Sequence, residues 1–414
     1  MPSHVLVKWE AEEMTNRTEQ AQIQRIEGWR DDLEELNVRI APRFARPEVR
    51  ARVGRYLFGL LGALERKNGW RMAEHLGEST PDGVQRLLNA ARWDADEVRD
   101  DLRAYVVEHF GDPGAILVID ETGFLKKGEK SVGVARQYTG TAGKVENCQV
   151  GVFLAYYAAP NGGRAFLDRA LYLPEEDWAT DEERRKEAGV PEEVDFAKKG
   201  ELAHRMLARA FEAGVPASWV SADEVYGQSS ELRRWLEDQG KSYVMAVSRS
   251  HSLWSSACGG APMQRWVEEI VAEAPTEAWE KVEVGEGSKG PRLYEWARAR
   301  LPYLTQGAYA QWLLVRRSVE DAEDLAYYRA YGPEGTLLEE LARVAGSRWS
   351  IEECFERAKG EVGLDQYEVR RWEAWHRHVT LCLLAHAFLE VTRAAAANDS
   401  AEGEKGGRRR CGKS

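Results

Sequence analysis

The stretch Ala115-Ile-Leu-Val-Ile-Asp-Glu-Thr122 decides how the rest of the sequence is interpreted. A run of small and apolar residues leads directly into the acidic pair Asp120-Glu121, and Gly123 follows closely behind. A short apolar run that ends at a breaker is typical of a strand buried on both faces. Because a carboxylate on such a strand is costly to bury as an anion, Asp120 predicts a cationic partner in the same site.

Length and composition narrow the class of protein. The chain has 414 residues, 43% apolar and 30% charged, so we expect more than one globular domain. Its 57 Lys and Arg against 69 Asp and Glu give a net charge of −12, which excludes a uniformly basic surface but not local basic patches. If the protein acts on DNA, we expect such patches around the Arg39–Arg55 run, near Glu352 and at Arg370-Arg371. The five scattered Cys indicate reduced thiols in a cytosol. Without a signal-peptide pattern or an apolar run of about 18 residues, we expect a cytoplasmic protein with no membrane span.

The first 110 residues predict a helical region that contains two candidates for DNA contact. One is a basic run with a single acid, Glu48, in its midst; its basic members are Arg39, Arg43, Arg46, Arg50, Arg52 and Arg55. Their spacing fits either a solvated helix face or a surface that contacts phosphates. The other is a pair of short helices at 70–77 and 84–88 around the breaker run Ser79-Thr-Pro-Asp-Gly83. This pattern fits a helix-turn-helix, and it also fits an ordinary helical bundle.

After residue 111 the pattern changes to strands and then to alternating helices and strands. Three strand signals joined by short turns precede a helix at 196–214, and the strand Ala217-Ser-Trp-Val-Ser-Ala222 then ends in a second acidic pair, Asp223-Glu224. This order predicts an α/β fold with a mixed sheet. The expected division is a helical region at 1–110, a core at 111–248 completed by helices at 336–396, a β-rich insertion at 249–335, and a disordered tail at 397–414.

A third acidic site lies in the predicted helix Arg348-Trp-Ser-Ile-Glu-Glu-Cys-Phe-Glu-Arg-Ala-Lys359. Arg348, Glu352, Glu356 and Lys359 are spaced four, four and three residues apart and therefore share one face. An ordinary ladder of ion pairs would produce the same spacing. Carboxylates from separate elements are, however, the ligands that Mg²⁺ prefers, and two such ions about 3.5–4 Å apart can promote cleavage of a phosphodiester.

The sequence resembles the DDE transposases of bacterial insertion sequences, in the cut-and-paste group whose ribonuclease H-like core is interrupted by a β-rich insertion. The matching segments are Leu117–Gly128, Val134–Gly140, Ala222–Gly227 and Arg348–Glu353. That group carries a Tyr-x2-Arg-x3-Glu-x6-Lys signature, in which Arg348, Glu352 and Lys359 fall at the required positions and Ala345 replaces the Tyr. The departure at Ala345 concerns the handling of DNA near the cut end, including any hairpin step.

The resemblance implies a complete site. Asp120, Asp223 and Glu352 would be both the catalytic acids and the ligands of two Mg²⁺ ions, with Mn²⁺ as a substitute. Glu121, Glu224 and Glu353 are the alternative ligands if the register is shifted by one. Arg348 and Lys359 would hold DNA phosphates beside the cut. The partners would be double-stranded DNA, both the terminal inverted repeats and the target, with a homodimer allowed in the synaptic complex and a location at the bacterial nucleoid.

Two other functions fit parts of the same pattern. A regulator descended from a transposase would bind DNA without cutting it, although three metal-directed carboxylates have no purpose in such a protein. A structure-specific nuclease would cut DNA without transferring the strand, and Ala345 keeps this alternative open. The expected activity is metal-dependent cleavage at transposon ends followed by strand transfer into target DNA.

Overall fold

The computed structural model describes residues 28–158, 162–256, 261–287, 290–303, 305 and 307–408. The described part of helix α1 covers residues 28–40. The other helices are α2 (Pro47–Leu61), α3 (Gly69–His75), α4 (Asp82–Asn89), α5 (Ala95–Phe110), α6 (Glu182–Ala188), α7 (Lys199–Glu212), α8 (Glu224–Gly227), α9 (Ser230–Asp238), α10 (Val267–Ala272), α11 (Leu338–Gly346), α12 (Trp349–Val362) and α13 (Trp372–Arg408). The strands are β1 (Ile116–Leu125), β2 (Ala135–Thr139), β3 (Lys144–Ala158), β4 (Gly163–Tyr172), β5 (Trp219–Ala222), β6 (Ser242–Val247), β7 (Ser252–Ser255), β8 (Met263–Trp266), β9 (Glu280–Gly287), β10 (Gly290–Arg300), β11 (Tyr309–Ser318) and β12 (Leu325–Pro333).

Helices α2 to α5 form the helical region that the sequence predicts. In α2, Pro47 starts the helix, and Val53, Leu57 and Leu60 recur at helical spacing on its buried face. The two short helices expected near residues 70–88 are α3 and α4, which contact each other across a short loop. The Asp94 side chain caps α5 by accepting a hydrogen bond from the backbone N–H of Asp96.

The central sheet is mixed, which confirms the predicted α/β fold class. Its strand order is β2-β3-β1-β5-β6-β12-β11-β10-β9, and β4 pairs with the long strand β3 beside β1. Strands β1, β5 and β6 are parallel to one another, whereas the remaining pairs are antiparallel. The three parallel strands lie in the middle of the sheet, where helices cover them and their apolar residues are buried on both faces.

The strands of segment 249–335 divide into two groups. β7 and β8 form a separate two-stranded sheet, whereas β12 pairs antiparallel with β6 and so adds β9 to β12 to the central sheet. The segment therefore extends the core sheet by four strands. Its limits as a domain remain the proposal made from the sequence.

Helix α13 runs through the interior of the protein. The stretch Trp372–Asn398 is long and apolar enough to cross a membrane by length and composition, which the sequence analysis did not anticipate, but 61% of its most apolar window is buried inside the protein. Consecutive residues of this helix, from Leu381 to Ala385, are fully buried, as expected of a core helix that is apolar all round. Its backbone remains helical as far as Arg408, where the sequence predicted disorder from residue 397; residues 409–414 lie outside the described part of the chain.

Candidate active site

Parallel strands β1 and β5 place Asp120 and Asp223 side by side. Their paired register ends at Ile119 and Ala222, so the next residue of each strand is an aspartate. Strand β5 stops there because Asp223 becomes the cap of helix α8, and its Oδ1 accepts a hydrogen bond of 2.9 Å from the backbone N–H of Val225. Strand β1 continues to Leu125 paired with β3 alone. The two carboxylates thus lie where the sheet opens at the carboxyl ends of parallel strands, the usual place for a site in an α/β fold.

A third carboxylate joins this pair. Asp120, Glu121 and Asp223 each offer an oxygen within 4.8 Å of the other two. Burial, followed by the charge of Asp223, raises the pKa of Asp120 from 3.8 to about 7. Burial, followed by the charge of Glu121, raises the pKa of Asp223 from 3.8 to about 6. The fold therefore keeps these three carboxyl groups together at a cost in free energy when they are ionised. A bound cation would lower that cost.

Glu121 already has two partners. The Lys199 ammonium donates to its Oε1 at 2.6 Å, and the Tyr226 hydroxyl donates to its Oε2 at 2.5 Å. Tyr226 follows Asp223 by about one helical turn. Its position close to the acidic cluster could therefore have been inferred from the sequence spacing. Lys199 is 78 residues from Glu121, and nothing in the sequence connects the two. These two side chains are the site residues that the sequence analysis missed.

Arg348 connects Asp120 to Glu352 at the start of helix α12. Its Nη1 donates to Asp120 Oδ2 at 3.1 Å, and its Nη2 lies 2.9 Å from Glu352 Oε1. The Glu352 side chain is 56% exposed. Among the residues that the structure describes, Glu352 is not one of the carboxylates in the tight cluster. The structure thus brings Asp120 and Asp223 together directly and joins Glu352 to them through a guanidinium.

Lys359 lies on the same face of α12, two turns beyond Glu352, as the spacing predicts. Its Nζ donates to Thr122 Oγ1 at 2.8 Å and lies 3.4 Å from Thr141 Oγ1. Burial lowers the pKa of Lys359 from its ordinary value. An ammonium group is therefore fixed two residues along β1 from Asp120.

The alternative acids Glu224 and Glu353 are engaged elsewhere. Exposed Glu224 accepts a hydrogen bond of 2.7 Å from Gln228 Nε2 within its own turn of helix. Glu353 forms an ion pair with Arg164 and lies 3.9 Å from Arg357, away from the Asp120 carboxylate. Glu224 and Glu353 therefore have partners outside the acidic cluster.

Most of the basic run in the N-terminal region is paired with other side chains. Arg39 forms an ion pair with Glu108, and Arg43 makes two hydrogen bonds of 2.7 Å to Asp101. Arg50 Nε donates to the carbonyl of Phe44 at 2.5 Å, whereas Arg46 is exposed and forms no ion pair with any described residue. The first two guanidiniums attach helix α1 and the residues after it to α5, so much of their charge is already neutralised.

Comparison with known families identifies the family to which the chain belongs. The family described as DDE superfamily endonuclease matches residues 39–291, more than half of the chain. The protein belongs to this family. The match includes Asp120 and Asp223 and ends before α12, so the assignment of Glu352 depends on its spacing and geometry. A DDE endonuclease carries out nuclease-type catalysis on DNA with divalent metal ions, in agreement with the acidic cluster.

One curated relative of this DDE endonuclease is described as a probable transposase for insertion sequence element IS701, from Microchaete diplosiphon. The two sequences are 29% identical over 208 residues, which is 50% of this chain and 51% of the relative. The chain thus aligns with about half the length of that relative.

Proposed function

We propose that this DDE endonuclease is the transposase of an insertion sequence, which cuts DNA at the ends of its element and joins the freed strands to target DNA. The observation that carries the proposal is the pairing of Asp120 with Asp223 at the open edge between β1 and β5, with their pKa values raised to about 7 and about 6. The similarity to a probable transposase supports the same activity.

We infer that Asp120, Asp223 and Glu352 hold two divalent cations, Mg²⁺ or in its place Mn²⁺. The fit follows from the donor set, because Mg²⁺ prefers carboxylate oxygens, and the two aspartates carry more negative charge than the one nearby guanidinium neutralises. Such ions, when bound, activate an attacking oxygen and stabilise the leaving oxygen of a phosphodiester.

The remaining residues of the site orient the carboxylates and the DNA. Lys199 and Tyr226 hold Glu121, so the carboxylate nearest to the two aspartates is kept at a fixed distance from them. Arg348 keeps Glu352 beside Asp120, and Lys359 presents a positive charge to a phosphate at the cut. Water attacks the phosphorus and the 3′ oxygen leaves with a proton. The freed 3′ hydroxyl then attacks a phosphorus of the target and loses its proton, while the bond from that phosphorus to the target's own 3′ oxygen breaks and this oxygen leaves with a proton.

The partners proposed for this reaction are the terminal inverted repeats of the element and a target duplex. Two copies of the chain would hold the two ends in one synaptic complex. Because the substrate is chromosomal DNA, we place the protein in the bacterial cytoplasm, associated with the nucleoid.

The test uses the purified full-length protein, a plasmid that carries the ends of the element, and Mg²⁺. Cleavage followed by joining of 3′ ends to a second plasmid is the expected result. Cleavage without joining would replace the proposal with a nuclease, and DNA binding with neither step would replace it with a regulator. Asp120→Ala should lose cleavage while retaining DNA binding. Glu352→Gln should behave likewise, whereas Glu356→Gln, one turn further along α12 and exposed, should cut normally.

A further inference from the structure

A large cleft opens between the helical region and the catalytic core. It has a volume of about 1240 Å³. Its basic residues come from three segments, which are residues 65–69 before and at the start of α3, residues 125–131 at the end of β1 and beyond, and residues 365–371 between α12 and α13. Residues of α2, α4 and α13 complete its walls. We call it the basic cleft, because basic side chains outnumber acidic ones along its walls.

The basic cleft carries positive charge that is free to bind a ligand. Arg66, Lys127, Arg370 and Arg371 are exposed, and none of the four forms an ion pair with another residue in the described ranges. Lys130 lies 3.3 Å from Glu187, and both of these side chains are largely exposed. The acids of the walls are Glu65, Glu129, Asp365 and Glu368.

The sequence predicted one part of this distribution, the basic patch at Arg370-Arg371, whereas most of the predicted basic run near the N-terminus is paired. In the basic run, Arg39 pairs with Glu108, Arg43 with Asp101, and Arg52 with Glu78. Those guanidiniums would have to break an existing pair before they could bind a phosphate. Arg66, Lys127, Arg370 and Arg371 have no such partner among the described residues, so no ion pair reduces their attraction for a polyanion.

The walls of the basic cleft are joined to one another. Lys126 Nζ donates to the carbonyl of Tyr367 at 3.2 Å and lies 3.5 Å from the centre of the Tyr367 ring. The backbone N–H of Lys67 donates to Gln366 Oε1 at 2.6 Å, and that of Val132 donates to the carbonyl of Arg370 at 2.9 Å. Because these hydrogen bonds link all three segments, the backbone that carries the basic residues is held in place before a ligand binds.

Two elements lead from the acidic cluster to the basic cleft. Strand β1 carries Asp120 and reaches the cleft at Lys126, a length of about 20 Å at about 3.3 Å per residue. Helix α12 carries Glu352 and Lys359 and ends just before Asp365. One strand of duplex DNA advances about 3.4 Å per base pair, so this distance corresponds to about six base pairs.

We propose that the basic cleft binds the sugar–phosphate backbone of the duplex about six base pairs from the position of cleavage. The inference rests on the proposed function, since it takes double-stranded DNA as the substrate of the acidic cluster. It assigns to this surface the task of placing the duplex, and Lys127 and Arg370 are its central contacts.

The test measures binding of the full-length protein to a labelled duplex of arbitrary sequence over a range of salt concentrations, in EDTA so that no cleavage occurs. Removing one cation that contacts a phosphate lowers the slope of log K against log salt by about 0.9, so Lys127→Gln with Arg370→Gln should lower it by about 2. The matched control is Arg92→Gln with Lys281→Gln, two exposed cations outside the cleft that have no ion pair in the part of the chain described. The charge-retaining pair Lys127→Arg with Arg370→Lys should keep the slope of the wild type.

Equal slopes for the cleft pair and the control pair would overturn the inference. So would an equally reduced slope in the charge-retaining pair, because that result would indicate disrupted structure rather than the removal of charge. This binding test can fail or succeed separately from the test of cleavage and joining. Wild-type protein that binds through the cleft and never cuts plasmid ends would refute the transposase and leave the cleft as a DNA-binding surface.

Discussion

Replacing Asp120 by Asn should make the protein more stable at neutral pH. The folded state raises the pKa of Asp120 from 3.8 to about 7, so folding keeps a proton that the unfolded chain loses. A raised pKa contributes stability that is complete below about pH 4 and is lost as the pH rises towards 7. Between pH 5 and pH 8 this one group should lower the free energy of unfolding by about 3 kcal/mol.

The Asn side chain takes the place of the protonated acid. Its carboxamide oxygen can still accept the hydrogen bond of 2.8 Å that Asp120 Oδ1 receives from the backbone N–H of Glu121. The variant therefore lacks the cost of ionisation and keeps this hydrogen bond, but its amide nitrogen cannot accept from Arg348 Nη1 as Asp120 Oδ2 does, a loss that applies at both pH values. Its free energy of unfolding relative to the wild type should rise by about 3 kcal/mol between pH 5 and pH 8.

Urea unfolding in EDTA at both pH values measures this difference directly. Asp238→Asn, an exposed carboxylate in the same domain, serves as the control and should show no comparable change. Adding Mg²⁺ at pH 8 should stabilise the wild type by about 2.7 kcal/mol at a hundred times the dissociation constant, and should stabilise Asp120→Asn less. If the free energies of unfolding of the variant and the wild type differ by the same amount at pH 5 and pH 8, folding does not raise the pKa of Asp120.

Three further substitutions test the surroundings of the site. A Cβ at Gly227 would lie 1.8 Å from the carbonyl oxygen of Ala246. Gly227→Ala should therefore lower the free energy of unfolding, measured by calorimetry, by about 3 kcal/mol. An unchanged unfolding temperature would contradict this close approach. Tyr226→Phe removes one hydrogen-bond donor to Glu121 and should lower the free energy of unfolding in urea at pH 7 by about 1–3 kcal/mol. An unchanged free energy of unfolding would mean that the hydrogen bond from Lys199 is enough to stabilise the Glu121 carboxylate. Lys359→Ala should slow plasmid cleavage between about 100- and 1,000-fold with DNA binding retained, and Lys359→Arg should recover part of the rate. A fully active Ala variant would show that Lys359 has no role in cleavage.

The parts of the site that could be predicted are those governed by local patterns. The apolar run before Asp120 and the shorter one before Asp223 each predict a buried strand, and both strands are present. The spacing of Arg348, Glu352 and Lys359 predicts a shared helix face, and all three lie towards β1. Hydrophobic period and residue spacing are enough to predict these features because a single strand or helix positions each group of residues.

The parts that escaped prediction depend on pairing between distant segments. The sequence predicted that β1 ends near Thr122, yet the strand continues to Leu125 because β3 pairs with it as far as Cys148. The attachment of β12 to β6 likewise joins segments about 80 residues apart, which no local pattern indicates. The salt bridge between Lys199 and Glu121 is of the same kind, and it determines which acid beside Asp120 is already engaged.

The unpaired basic residues are distributed differently from the basic residues counted along the chain. A run of arginines is conspicuous in the sequence, but α5 supplies Glu108 and Asp101 opposite two of them, and much of their charge is neutralised within the fold. The sequence indicated the pair Arg370-Arg371, whereas Arg66 and Lys127 come from two other segments, and all of them form one surface only when the fold brings those segments together. A polyanion is attracted by the charge that remains after internal pairing, so the acidic net charge of −12 is compatible with a DNA enzyme that has unpaired cations in the basic cleft.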